Sequence, residues 1–307
     1  PFASALHAGR GGEPGAAQRL TTLIQDKDAP AIARASAVRE IEAYLSPASL
    51  PLLSATLRDS DPLVRGAALE TLLVLPLSRR LSLALPLLDD PVRMVRLKAA
   101  RALAPVPDAS LSAEHRARLE VVMADYVASQ KANAERPEAH LNLGLFHAER
   151  GQDAKAEAEY RAAIKLQAGF APAYVNLADL YRATQRDSEA EAVLLQGLGQ
   201  RPQDASLTHA LGLLRVRQGR PDEALRLLAR AATLSPDNAR YAYVLAVAQH
   251  DTGKPREARA TLAQALERFP YHPDLLAAGV SYAQEAGDRE AATRLAEQLD
   301  RLARSSP

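Results

Sequence analysis

From Pro137 to about Arg304 the chain repeats itself every 34 residues without slipping. Ala156, Ala190, Ala224, Ala258 and Ala292 stand one period apart, and Gly151, Gly219, Gly253 and Gly287 hold a second phase broken only by Gln185. Leu143, Leu177, Leu211 and Leu245 keep a third, each followed by Gly or Ala. Several independent positions agreeing over a period of this length imply a stacked solenoid. Small side chains let two helices approach closely, and a Gly between them permits a tight turn. Pro202, Pro236 and Pro270 end second helices and prepare the next first turn. Each unit therefore reads as a helix pair, over 137–170, 171–204, 205–238, 239–272 and 273–306, in an array extending to 307.

The stretches AHLNLGLFHAERGQDAKAEAEYRAAIKL (139–166), AYVNLADLYRATQRDSEAEAVLLQGL (173–198) and SLTHALGLLRVRQGRPDEALRLLARAATLSP (206–236) resemble the tetratricopeptide repeat. That resemblance implies a superhelix whose concave face is lined by the first helix of each unit. It also implies that side chains at particular places of those helices face a groove that holds a protein or peptide segment. Carried onto this sequence, the groove residues are Asn142, Leu145, Asn176, Asp179, Arg182, His209, Arg217, Arg240 and Tyr243. An Asn amide both donates and accepts, so Asn142 and Asn176 suit the backbone of an extended peptide; the alternative is a local hydrogen bond. Tetratricopeptide domains that hold the terminal carboxylate of chaperone tails add basic residues, at places occupied here by Leu141, Ser206 and Ala210. Without those counter-charges, chaperone-tail binding is not expected.

A shorter repeat precedes this array. Arg34, Arg65 and Arg96 are 31 residues apart, and Asp61-Pro62 and Asp90-Pro91 precede the last two. Asp before Pro is a helix-start signal, and Ser46-Pro47 gives another. With the run DSDPLVR at 59–65, residues 16–104 resemble three HEAT repeats, at about 16–45, 46–75 and 76–104. The repeated arginines are expected to pair with aspartates of neighbouring turns rather than to bind anions. Residues 1–15 are Gly-rich and read as a lead-in without a stable helix. Pro105 to Asp108 breaks the helical pattern, and a long helix over 111–135 is expected to cap the first tetratricopeptide unit. In the fifth unit Gly279 stands where Leu is usual, so that unit is expected to pack most loosely.

The fold class is thus all-α, an α-solenoid with a HEAT-like array (16–104), a linker and long helix (105–136) and a tetratricopeptide array (137–307). Lys plus Arg number 38 against 37 Asp plus Glu, a balance that argues against nucleic acid as a partner. No run of residues approaches the length of a membrane span. There is no cysteine, which excludes disulfides, thiolate metal sites and cysteine catalysis in this sequence. The chain opens on Pro1 without a Met, which reads as part of a longer protein.

Chemistry-bearing patterns are sparse. His140 and His147 share a helix face, but a metal needs a third ligand, and both places are expected to pack between helices. His209 and His250 have no carboxylate or Ser at triad spacing, and GRGGEPG at 9–15 lacks the Lys-Ser/Thr of a phosphate loop. The expected function is a non-enzymatic interaction scaffold with no cofactor of its own. The order of HEAT-like units, long helix and then NLADLYR (176–182) is also similar to the C-terminal part of bacterial multihaem c-type cytochromes. That resemblance implies a docking module, with haem-bearing CxxCH motifs in an upstream region and export from the cytoplasm.

Overall fold

The computed structural model describes residues 2–304, and its regular elements are all helical. Pro1 and residues 305–307, the last of which fall in the fifth expected unit, lie outside the described residues. The chain divides into two compact units, one reaching to Ala132 and joined by the last residues from Arg301, the other spanning Asn133–Asp300.

The first unit begins with α1 (Phe2–Gly11), α2 (Ala16–Gln25) and α3 (Ala31–Glu40). It continues through α4 (Leu50–Thr56), α5 (Pro62–Thr71), α6 (Leu77–Ala84), α7 (Arg93–Leu103) and α8 (Ala113–Lys131). Helix α1 corrects the expectation of an unstructured lead-in. Its glycines sit where they help: Gly9 is buried with Leu20 Cδ1 3.0 Å from where a Cβ would stand. Gly12 and Gly15, at φ 67° and 75°, supply the turn into α2. Asp61 caps α5, accepting from the Leu63 amide at 2.8 Å with Pro62 in the first turn. After Ser46-Pro47 the chain first makes a single 3₁₀ turn (Pro47–Ser49), and α4 starts only at Leu50.

The arginines pair as their spacing suggests. Arg34 Nη1 donates to Asp59 Oδ2 at 2.5 Å, and Arg65 holds Asp90 by two hydrogen bonds. In both cases the Arg of one repeat meets the Asp of the next, 25 residues on. Arg96 donates instead to the backbone carbonyls of Asp90 and Pro91. Helix α8 packs on α7, burying Leu119, Val122, Met123 and Tyr126, and Asp125 pairs with Arg93 at 2.6 Å. It belongs to the first unit.

The second unit is built of helix pairs: α9 (Pro137–Glu149) with α10 (Asp153–Leu166), α11 (Ala171–Ala183) with α12 (Asp187–Gln200), and α13 (Ala205–Arg217) with α14 (Pro221–Leu234). The fourth and fifth pairs are α15 (Ala239–Asp251) with α16 (Pro255–Arg268) and α17 (Pro273–Glu285) with α18 (Arg289–Arg304). The turn inside each pair passes through the left-handed region at Gly151, Gln185, Gly219, Gly253 and Gly287. Small residues set the helix spacing. At Gly144 a Cβ would stand 2.3 Å from Tyr160 Cε1, so the buried Tyr160 ring lies directly on the α9 backbone. Gly279 is buried as well, with Leu295 Cδ1 3.0 Å from its Cβ position. A leucine of α18 thus approaches the place where the Leu side chain of the other units would stand.

The buried core of this unit falls into clusters that do not merge. One runs through the first three pairs from Ala156 to Leu214. A second joins Leu225, Leu228 and Leu245, and a third joins Ala246, Leu262, Ala265 and Leu275. The first helices α9 and α11, α11 and α13, and α15 and α17 pack side by side, whereas α13 and α15 meet less closely. The third place of the unit explains the difference. It carries Ala139, Ala173, Leu207 and Leu275, all buried, but Tyr241 in the fourth pair. The Tyr241 ring stacks on His209 at 4.4 Å between ring centres and stands between the two helices.

Candidate interaction groove

A cleft of about 700 Å³ opens along the first helices of the second, third and fourth pairs. Five of the nine expected groove residues line it together: Asp179, Arg182, His209, Arg217 and Arg240. The other four lie elsewhere. Asn142 is half-buried on α9, outside this cleft. Asn176 donates from Nδ2 to the Pro172 carbonyl at 2.8 Å, so part of its amide is spent on its own helix. Leu145 packs against the core of the first three pairs, and Tyr243 against the core of the last two.

The cleft combines apolar and charged surface. Leu213 and Val216 line it and remain exposed, Val216 at 50%. Arg182 pairs with Asp179 at 3.2 Å one turn away, and Arg217 donates to both oxygens of Asp187 at 2.9 and 3.1 Å. Arg240 differs from both: its guanidinium meets no carboxylate or acceptor among the described residues. Only its backbone N–H is engaged, capped by Asn238 Oδ1 at 3.1 Å at the start of α15.

His209 is the most buried polar group in the cleft, 7% exposed, and neither ring nitrogen has a hydrogen-bond partner among the described residues. Burial, helped by the charge of Arg240, pushes its pKa down to about 4. The ring is therefore neutral at physiological pH, offering one donor and one acceptor. Leaving both unmet costs on the order of 1–3 kcal/mol per buried group.

Tyr241 and Ser206 also line the cleft, and the groove expectation named neither. For Tyr241 the signal was present in the sequence, as a large ring at a place where the other units carry Ala or Leu. The two histidines of α9 are engaged locally. His140 Nδ1 lies 2.6 Å from Glu159 Oε2 and its Nε2 3.0 Å from the Ala134 carbonyl, while His147 Nδ1 meets Gln152 Oε1 at 2.8 Å. Among the described residues no group of three or more His, Cys, Asp or Glu is arranged to hold a metal ion. No described helix is long and apolar enough to cross a membrane.

Helix pairs stacked in register, with an open cleft along their first helices, define a helical-repeat interaction scaffold. Residues 124–172, 173–206 and 215–278 match family models of the tetratricopeptide repeat, and residues 18–104 match that of HEAT repeats. The chain is a tetratricopeptide-repeat protein with HEAT-like repeats in its N-terminal part. Among solved structures it is similar to YrrB, described as a TPR protein with an unusual peptide-binding site, at 21% identity over 57% of this chain and 90% of that one, TM-score 0.42. It is also similar to PilF of Pseudomonas aeruginosa, at 21% identity over 57% and 80% of the two chains, TM-score 0.48. A third is MamA, at 16% identity over 53% and 94%, TM-score 0.44. No curated protein sequence matches the chain.

Proposed function

We propose that the chain is a non-enzymatic scaffold that binds an extended protein segment in the cleft between α11, α13 and α15. The observation that carries this reading is the convergence of first-helix residues from three successive pairs on one open cleft, with apolar Leu213 and Val216 beside charged side chains. A mixed lining of this kind suits a peptide, whose side chains alternate in character while its backbone needs donors and acceptors. The multihaem docking alternative gains no support from any residue of the cleft.

The test is photo-crosslinking in extract of the source cells, with a crosslinking amino acid at position 213 or, on α14, at the exposed position 226. Capture from 213 that Leu213→Glu in an otherwise wild-type competitor cannot compete away, while wild type can, supports the groove. Equal capture from both positions sinks it.

A further inference from the structure

The corner of the cleft formed by His209, Tyr241, Arg240 and the start of α15 has features the rest of the lining lacks. Three arginines line the cleft, yet Arg182 and Arg217 already face Asp179 and Asp187. Arg240 is exposed with a side chain that nothing holds among the described residues. It follows the first residue of α15, a helix of 13 residues whose dipole adds positive potential at the same spot. Beside it His209 is more than nine-tenths buried with both ring nitrogens unpaired. Asp204, which caps α13, is already occupied: its Oδ1 accepts from Ser206 N, Ser206 Oγ and Leu207 N, and its Oδ2 lies 3.6 Å from Arg201.

We propose that this corner is a subsite for the carboxylate of an Asp or Glu side chain in the bound segment, with a neighbouring aliphatic residue of the segment on Leu213 and Val216. The proposal rests on the groove reading above and names what the groove selects. The Arg240 guanidinium supplies the counter-charge and two parallel N–H donors, a geometry that matches a carboxylate. A neutral His209 N–H supplies a third donor, which removes the penalty of leaving it unmet. An acidic ligand is favoured over a basic one because the surplus charge at this corner is positive.

The experiment is selection from a display library of random 12-residue peptides on the full chain, followed by affinity measurement with a labelled selected peptide. Selected sequences are expected to share an Asp or Glu close to Leu, Ile or Val. Arg240→Gln should weaken such a peptide about tenfold, the loss of one charge-assisted pair. The same peptide with its acid replaced by Asn or Gln should bind wild type just as weakly, and then lose nothing further on Arg240→Gln. His209→Leu, with its helix content checked by circular dichroism, should weaken the acidic peptide and leave the neutral one unchanged.

Peptides that depend on Leu213 but carry no acidic preference, or one that Arg240→Gln does not alter, overturn the subsite and leave the groove standing. If no selected peptide depends on any cleft residue, both readings fall.

Discussion

Arg65 holds Asp90 at both carboxylate oxygens, Nε to Oδ2 at 2.7 Å and Nη2 to Oδ1 at 2.9 Å, while its Nη1 donates to the Asp59 and Ser60 carbonyls at 2.8 and 3.0 Å. One side chain thus ties two successive HEAT-like turns to each other. Burial alone would raise the Asp90 pKa, but the hydrogen bonds from Arg65 and the Val92 amide, together with the charges of Arg65 and Arg96, outweigh it and hold the carboxyl below its usual range. Both residues are buried, so removing one partner strands the other's charge or donors. Arg65→Met should destabilise the first unit by about 3–5 kcal/mol, the usual cost of breaking a buried pair. Urea unfolding followed by circular dichroism checks this, and a loss below about 1 kcal/mol would mean the pair behaves as an exposed one.

Gln185 adopts φ 60° at the turn where the other four units have glycine. A side chain in the left-handed region costs roughly 1–2 kcal/mol, whereas glycine adopts it freely. Gln185→Gly should therefore raise stability, by about 0.5–1 kcal/mol after the entropy of a more flexible unfolded chain is deducted. The thermal midpoint should rise. A fall would show that the Gln side chain contributes more than its backbone strain takes away.

His209 makes stability depend on pH in a definite direction. Its pKa in the fold is about 4, against 6.5 for an ordinary histidine, so between those values the unfolded chain binds the extra proton. Stability is therefore fully present above about pH 6.5 and declines as pH falls toward 4, by up to ~3 kcal/mol from this group. His272, also lowered by burial, acts with the same sign. The check is the difference between wild type and His209→Leu in thermal midpoints from pH 7.5 to 4.5. It should narrow or change sign as pH falls, and parallel curves would refute the assignment.

Repeat phase was legible in the sequence because every unit must bury the same face against its neighbour, so the same places carry Leu, Ala and Gly. The Arg–Asp pairing of the HEAT-like turns could be read for the same reason, as both partners recur with the period. The groove was legible only in part. Place in the repeat brought Asp179, Arg182, His209, Arg217 and Arg240 to one cleft, but it could not show that Asn176 bonds back to its own helix or that Tyr243 turns to the core. Those outcomes depend on rotamers and neighbours, which periodicity does not encode. The helix at 2–11 was missed because glycine content was read as a property of the whole segment, when position decides. Gly9 is needed for close packing, and Gly12 and Gly15 end one helix and admit the next.

The interruption of the buried core at the Tyr241 stack has a mechanical meaning. In a linear array each joint contributes its own stability, and a joint with less shared apolar surface yields first. Pairs one to three hold one cluster in common, while the last two pairs share another. At that junction α13 and α15 are bridged by the Tyr241–His209 stack, and α14 and α15 by Leu225, Leu228 and Leu245, with the cleft alongside. A segment lying there would touch α13 on one side and the start of α15 on the other, and so would tie together the two neighbouring first helices that meet least closely.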